Sequence, residues 1–244
     1  MVMKICISFV FFLSLLIFIS PNLYSEDTGF KYFKNYSYRD YDHQPQNWAV
    51  IQDKNGIIYV GNNGGLLEFD GVSWRLIETP NYTAVRSMDI DETGTLYIGG
   101  GNEIGYLSPD SKGFLQYVSL LDHLEEQQRN FGNVLKTISM KDGIYFCTLK
   151  FLFRWHPKTK QIKVWKPTAP TQRFLMAFAC NEKLVIHREH TGLVQMVNDS
   201  MELLPGTEMF ARERMVMVVP FVPRNADGTL SRDSNSTLLI CTRA

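Results

Sequence analysis

The run His187-Arg188-Glu189-His190 is the one cluster whose residue types would suit metal ligation or acid–base work. On a helix the two histidines would be near neighbours, but on a strand side chains alternate, so His187 and His190 point opposite ways. The preceding Leu184-Val185-Ile186 reads as a strand, which makes the pair a strand-end feature and not a metal site. Asp89, Asp91 and Glu92 form a second acidic stretch. A calcium loop sets spaced oxygen ligands around a glycine, and the matching stretch Asp53-Lys54-Asn55-Gly56 lacks them, so both read as turns. No serine sits in a Gly-x-Ser-x-Gly elbow, and no glycine-rich phosphate loop precedes a helix. Trp48, Trp74, Trp155 and Trp165 all fall in strand-like runs, and packing is expected for them rather than stacking on a sugar ring. No catalytic, cofactor-binding or metal residue is therefore assigned, and the residues that would hold a ligand stay unassigned.

The elements carrying these residues repeat. Val50-Ile51-Gln52-Asp53-Lys54-Asn55-Gly56-Ile57-Ile58-Tyr59-Val60-Gly61 shares its frame with Met88-Asp89-Ile90-Asp91-Glu92-Thr93-Gly94-Thr95-Leu96-Tyr97-Ile98-Gly99. Each is a strand, an acidic turn closed by glycine, and a strand ending in Tyr, a β-branched residue and Gly. A third copy spans Ile138 to Cys147; a fourth, more worn, pairs Cys180-Asn181-Glu182-Lys183 with Leu184 to His187; a fifth ends in Leu238-Leu239-Ile240-Cys241. The anchors Tyr59, Tyr97, Tyr145, Val185 and Leu239 stand 38, 48, 40 and 54 residues apart. A period near 40 residues marks a four-stranded propeller blade. Leu120 to Arg129, whose leucines fit one helical face, and the polar run Arg224 to Ser236 lengthen the two wider intervals. Tight turns at Asn55-Gly56, Asn63-Gly64-Gly65 and Asp70-Gly71 suit hairpins.

The fold expected is all-β: a β-propeller of about four and a half four-stranded blades from a seven-bladed ring. The blades fall near 47–81, 82–124, 133–170, 173–210 and 213–244, the last incomplete. An open arc leaves bare strand edges, so truncation is the expectation.

Met1 to Lys4 carries one positive charge, Ile5 to Ile19 is nearly unbroken apolar sequence, and small and polar residues follow up to Ser25. That is the plan of a secretory leader, and the run is short of the ~20 apolar residues that span a bilayer. Residues 1–25 are expected to be a signal peptide, with an uncleaved anchor as the alternative, and 26–46 a lead-in segment. Export to the periplasm or cell surface follows, or inner-membrane attachment if the leader is retained. Without the leader three cysteines remain, Cys147, Cys180 and Cys241, an odd number with no Cys-x-x-Cys spacing. Buried thiols or one disulfide both fit. The 25 basic residues balance the 25 acidic ones, so nothing favours a nucleic-acid partner.

The frame carried by Asp53, Gly56, Ile58, Tyr59, Val60, Gly61, Gly65, Leu66, Phe69 and Asp70, with Gly71-Val72-Ser73-Trp74 after it, resembles the two-component-regulator propeller repeat. The lead-in Asn35-Tyr36-Ser37-Tyr38-Arg39-Asp40-Tyr41 is similar to the start of such sensors. The resemblance is good over Asn47 to Asp110, fair to Pro170 and weak afterwards. It implies an extracytoplasmic, non-catalytic ligand-recognition module of a bacterial transmembrane receptor, with no cofactor. The implied partners are a carbohydrate or other extracellular ligand, together with membrane-spanning and output domains that this chain lacks. A protein–protein scaffold or adhesin is the first alternative. A carbohydrate-active propeller enzyme is the second, and it would need paired carboxylates or a His/Tyr base at the ring axis.

Overall fold

A computed structural model describes residues 33–221 and 238–243. The proposed leader, the first third of the lead-in segment and the run Arg224 to Ser236 lie outside the described residues. The chain divides into two units, Met1–Asn35 and Tyr36–Ala244, and the architecture that follows is that of the second.

It is a β-propeller. Blade 1 consists of β1 (Asn47–Gln52), β2 (Ile58–Asn62), β3 (Gly65–Phe69) and β4 (Trp74–Ile77). Blade 2 consists of β5 (Val85–Ile90), β6 (Leu96–Gly100), β7 (Ile104–Pro109) and β8 (Leu115–Ser119). Blade 3 has β9 (Val134–Met140), β10 (Gly143–Thr148), β11 (Leu152–His156) and β12 (Gln161–Trp165), and blade 4 has β13 (Phe174–Cys180), β14 (Lys183–Arg188), β15 (Gly192–Val197) and β16 (Ser200–Leu203). A two-stranded sheet, β17 (Arg214–Pro220) with β18 (Leu238–Arg243), follows. Every sheet is an antiparallel meander in chain order, and the first strand of each packs beside the first strand of the next.

The acidic turns explain how so short a hairpin closes. Asp53 accepts the amides of Asn55 and Ile57 at 2.9 Å each, and Asp91 accepts those of Thr93 and Thr95 at 2.9 and 3.0 Å. In blade 4 the same hairpin shortens to Asn181–Glu182, both at positive φ, between the paired Cys180 and Lys183. That primed two-residue turn suits the strand twist, which is why the Asp-x-x-Gly signature fades there.

Alternation along each second strand builds the core as slabs between blades. Tyr59, Leu66 and Ile77 meet Val85, Met88, Leu96 and Ile98. Tyr97 and Ile104 meet Val134, Ile144, Phe146 and Trp155. Tyr145, Cys147 and Leu152 meet Phe174, Ala177, Leu184 and Ile186, and Val185 and Leu193 meet Met215 and Val218. Tyr59, Tyr97 and Tyr145 thus hold equivalent places. Burial, reinforced by nearby carboxylates, raises all three phenols, Tyr59 to about 12. The other face of blade 1 is covered from the lead-in segment: Tyr41 of the single-turn helix α1 (Tyr38–Tyr41) is buried against Val60 and Leu67, and Tyr36 meets Phe69 and Trp74 edge-on.

Leu120 to Arg129 does not form the helix its leucines suggest. It makes two 3-10 turns, Leu121–His123 and Glu126–Gln128, with extended backbone at Leu124 and Glu125 between them. Ten residues are too few for a self-supporting helix, and this path sinks both Leu120 and Leu124 into the slab between blades 2 and 3.

Candidate functional site

The first strand of each unit carries one extra residue near its start. The register slips between Asn47 and Ala49, between Val85 and Ser87, at Leu135, between Phe174 and Met176, and between Met215 and Met217. The five bulged residues are Trp48, Arg86, Leu135, Leu175 and Val216. A β-bulge re-aims a side chain and commonly sits at a rim or beside a site, and here the bulges recur at one end of neighbouring first strands. This rim is the candidate functional site.

Two bulged side chains meet across the first blade boundary. The Arg86 guanidinium lies over the Trp48 ring, its Cζ 3.6 Å from the centroid. Trp48 is 45% exposed, and its indole N–H donates to Asn63 Oδ1 at 3.3 Å, which orients the ring. Arg86 Nε is buried without an acceptor. The amide of Thr137 on β9 donates to Ser87 Oγ, so β9 runs beside Arg86 and brings exposed Lys136 to the same rim. Further round, Arg173 and Glu189 pair through two bonds of 2.9 and 3.0 Å.

The residues singled out from the sequence are scattered. His187 is buried on β14, where its Nε2–H donates to Phe210 O at 3.1 Å; His190 lies in the following turn at φ 59°. Asp89 accepts the Ile90 and Ser139 amides at 2.9 and 2.8 Å, and Asp91 is held within its turn. Both line a cavity of about 740 Å³ toward the opposite end, alongside Tyr97, Lys141, His156 and Glu182. Among the described residues no three His, Cys, Asp or Glu side chains gather to hold a metal. Cys147 and Cys180 are buried, Cys241 is half-buried, and none forms a disulfide; burial pushes the Cys147 thiol up to about 12. Trp155 packs as expected, and Trp74 and Trp165 are half-buried against aromatic or cationic neighbours. Trp48 departs from that expectation, being the open one. The sequence held a signal for the rim: Trp48 and Arg86 each stand eleven residues before their anchors, Tyr59 and Tyr97. Without the strand register, neither could be told from a residue facing the core.

The sequence matches no family model and no curated protein. Among solved structures it is similar to the extracellular domain described for a hybrid two-component system, BT3049 of B. thetaiotaomicron. The TM-score is 0.55, with 15% identity over 86% of this chain and 34% of that one. It is also similar to virginiamycin B lyase from Staphylococcus aureus, with TM-score 0.51 and 10% identity over 75% of this chain and 61% of the lyase. A catalytically inactive form of that lyase, solved with quinupristin, aligns with TM-score 0.51 and 14% identity over 70% of this chain and 59% of the other. The chain spans between about a third and three fifths of these structures. No helix among the described residues is long and apolar enough to cross a membrane. At 10–15% identity the likeness establishes the fold, and the chain is a β-propeller of the kind found both in an extracellular sensor-system domain and in a lyase.

Proposed function

We propose that the chain is an extracytoplasmic ligand-recognition module of a bacterial transmembrane receptor, and that it acts by binding rather than by turnover. The observation that carries this reading is the rim of bulged residues, where exposed Trp48 meets half-buried Arg86 and no carboxylate among the described residues is hydrogen-bonded to either. A stacking surface beside a cation whose terminal N–H groups have no acceptor among the described residues suits recognition. Hydrolysis of a glycosidic bond would call for two carboxyl groups spaced across the scissile bond. Two further observations support the reading: the likeness over most of the chain to the extracellular domain of a hybrid two-component system, and a leader-like N-terminus. Membrane-spanning and output domains would belong to a longer receptor.

Two measurements test it. Alkaline phosphatase fused after residue 244 should be active in whole cells, and an inactive fusion contradicts export. A thermal-shift screen of the purified chain with neutral and acidic oligosaccharides should find a stabilising ligand. At about 100 times its Kd such a ligand adds about 2.7 kcal/mol, a rise of roughly 5–10 °C for a chain of this size. A silent screen, with a protein partner recovered instead, would favour the scaffold.

A further inference from the structure

We propose that Trp48 and Arg86 form a subsite for a ring-bearing carboxylate, the ring lying on the open part of the indole and the carboxylate taken by the guanidinium. This deepens the recognition reading and rests on it.

The other half-buried arginines among the described residues all find hydrogen-bond acceptors. Arg75 holds Glu68 at 2.9 Å, Arg154 holds Asp142 and Asp199 at 2.9 and 2.6 Å, and Arg188 donates to the hydroxyls of Thr191 and Thr168 at 3.1 Å each. Arg86 departs from that pattern. Its guanidinium makes no hydrogen bond or ion pair to any described residue, and its Nε is shut away from water. A half-buried cation without an anion is costly, and an orphaned buried N–H in a folded protein calls for an explanation. Contact with the Trp48 ring at 3.6 Å recovers part of that cost through the ring quadrupole, but it leaves the planar N–H fork unused. The two terminal nitrogens, which unlike Nε are not sealed off, present that fork end-on and match a carboxylate in a two-point, charge-assisted geometry.

The setting selects the same chemistry. Arg86 and Trp48 are both bulged residues on neighbouring first strands, so their meeting is imposed by backbone register and not by a mobile loop. Asn63 fixes the indole through its N–H, and Trp48 stays 45% exposed beside the guanidinium. Exposed Lys136, carrying no ion pair among the described residues, adds a second positive charge from the strand beside Arg86. Two cations set close together attract anions before contact. The shared ligand chemistry is a six-membered ring with a carboxylate, which a uronic acid and an aromatic acid both supply.

Titration calorimetry and tryptophan fluorescence with galacturonate, benzoate, galactose and inorganic sulfate test the subsite. Galacturonate or benzoate should bind saturably and perturb the Trp48 signal, the better of the two naming the source. Galactose and sulfate, each lacking one half of the chemistry, should bind about tenfold or more weakly. Arg86→Met keeps the stem over the indole and should abolish the preference for the acid over galactose. Arg86→Lys keeps the charge without the fork and should retain only part of it, and it serves as the second variant if the methionine form proves unstable. Trp48→Phe should remove the optical signal while the calorimetric one weakens. Galactose binding as tight as galacturonate and indifferent to Arg86→Met would overturn the subsite while leaving the recognition reading in place. Absence of any saturable Trp48 response to these probes would also overturn it, and the oligosaccharide screen would then judge the wider reading separately.

Discussion

His187 occupies a position that other units fill with Gly61, Gly99 and Cys147, all aimed at the following blade. An imidazole fits because the Phe210 carbonyl stands ready to accept its Nε2–H. Burial lowers its pKa below the ordinary 6.5. A depressed base of this kind gives stability that is complete above the unfolded value and fades as pH falls through the folded one. Urea midpoints should therefore slope downward below about pH 6.5, and His187→Gln, which can still donate to the carbonyl, should flatten that slope. An unchanged slope would mean another group is responsible. Glu103 has the opposite sign. It is buried, and burial raises its pKa against the bonds it accepts from Ser119 and Tyr117 at 2.5 and 3.1 Å. Its contribution is full below the ordinary 4.5 and is lost as pH rises through the raised value. Glu103→Gln keeps an acceptor for both hydroxyls and should raise the thermal midpoint at pH 7 while giving no gain under acid conditions.

At the scale of strands and turns, the close approach between blades is set by small residues. A Cβ on Gly99 would lie 2.4 Å from Val134 Cγ1 and 2.9 Å from Thr137 Oγ1. One on Gly64, in a hairpin turn, would meet nothing nearer than 3.4 Å. Gly99→Ala should cost about 1–3 kcal/mol by overpacking, whereas Gly64→Ala should stay within about 0.5 kcal/mol. Urea denaturation compares them directly, and equal costs would show that the second blade boundary has slack. The worn fourth repeat belongs at this scale too. Once Asn181 and Glu182 take positive φ, the loop no longer needs the four-residue frame with its glycine. A motif search tuned to that frame then loses the blade while the strands persist.

Across the molecule, stability is distributed as slabs. Blades 2 and 3 are flanked by a blade on each side, whereas the β17–β18 sheet is joined to blade 4 by Met215 and Val218 and keeps Val216, Met217 and Leu239 exposed. Local opening follows the density of buried contacts. Amide exchange should therefore be fastest in β17 and β18 and slowest in β10, which is buried along its whole length. Protection in β18 equal to that in β10 would show that the sheet is covered by something besides blade 4.

The β-propeller was legible in the residues because each blade is local: a hairpin closed by Asp53 or Asp91 needs only its own turn and its own alternation. Tyr59, Tyr97 and Tyr145 announced the period for the same reason, since each meets the next blade in the same way. The rim was not legible. A bulge is a difference in count between two paired strands, so it exists only once both are aligned, and nothing in the letters around Trp48 or Arg86 says that their side chains touch. Likewise, the leucines of Leu120 to Arg129 fit a helix in isolation, and the hydrophobic slab between blades 2 and 3 overrode that preference. The sequence decided which segments pair, because pairing here is between neighbours. Tertiary structure decided which side chains meet across blades, because those contacts join residues such as Trp48 and Arg86 that lie on different strands of different repeats.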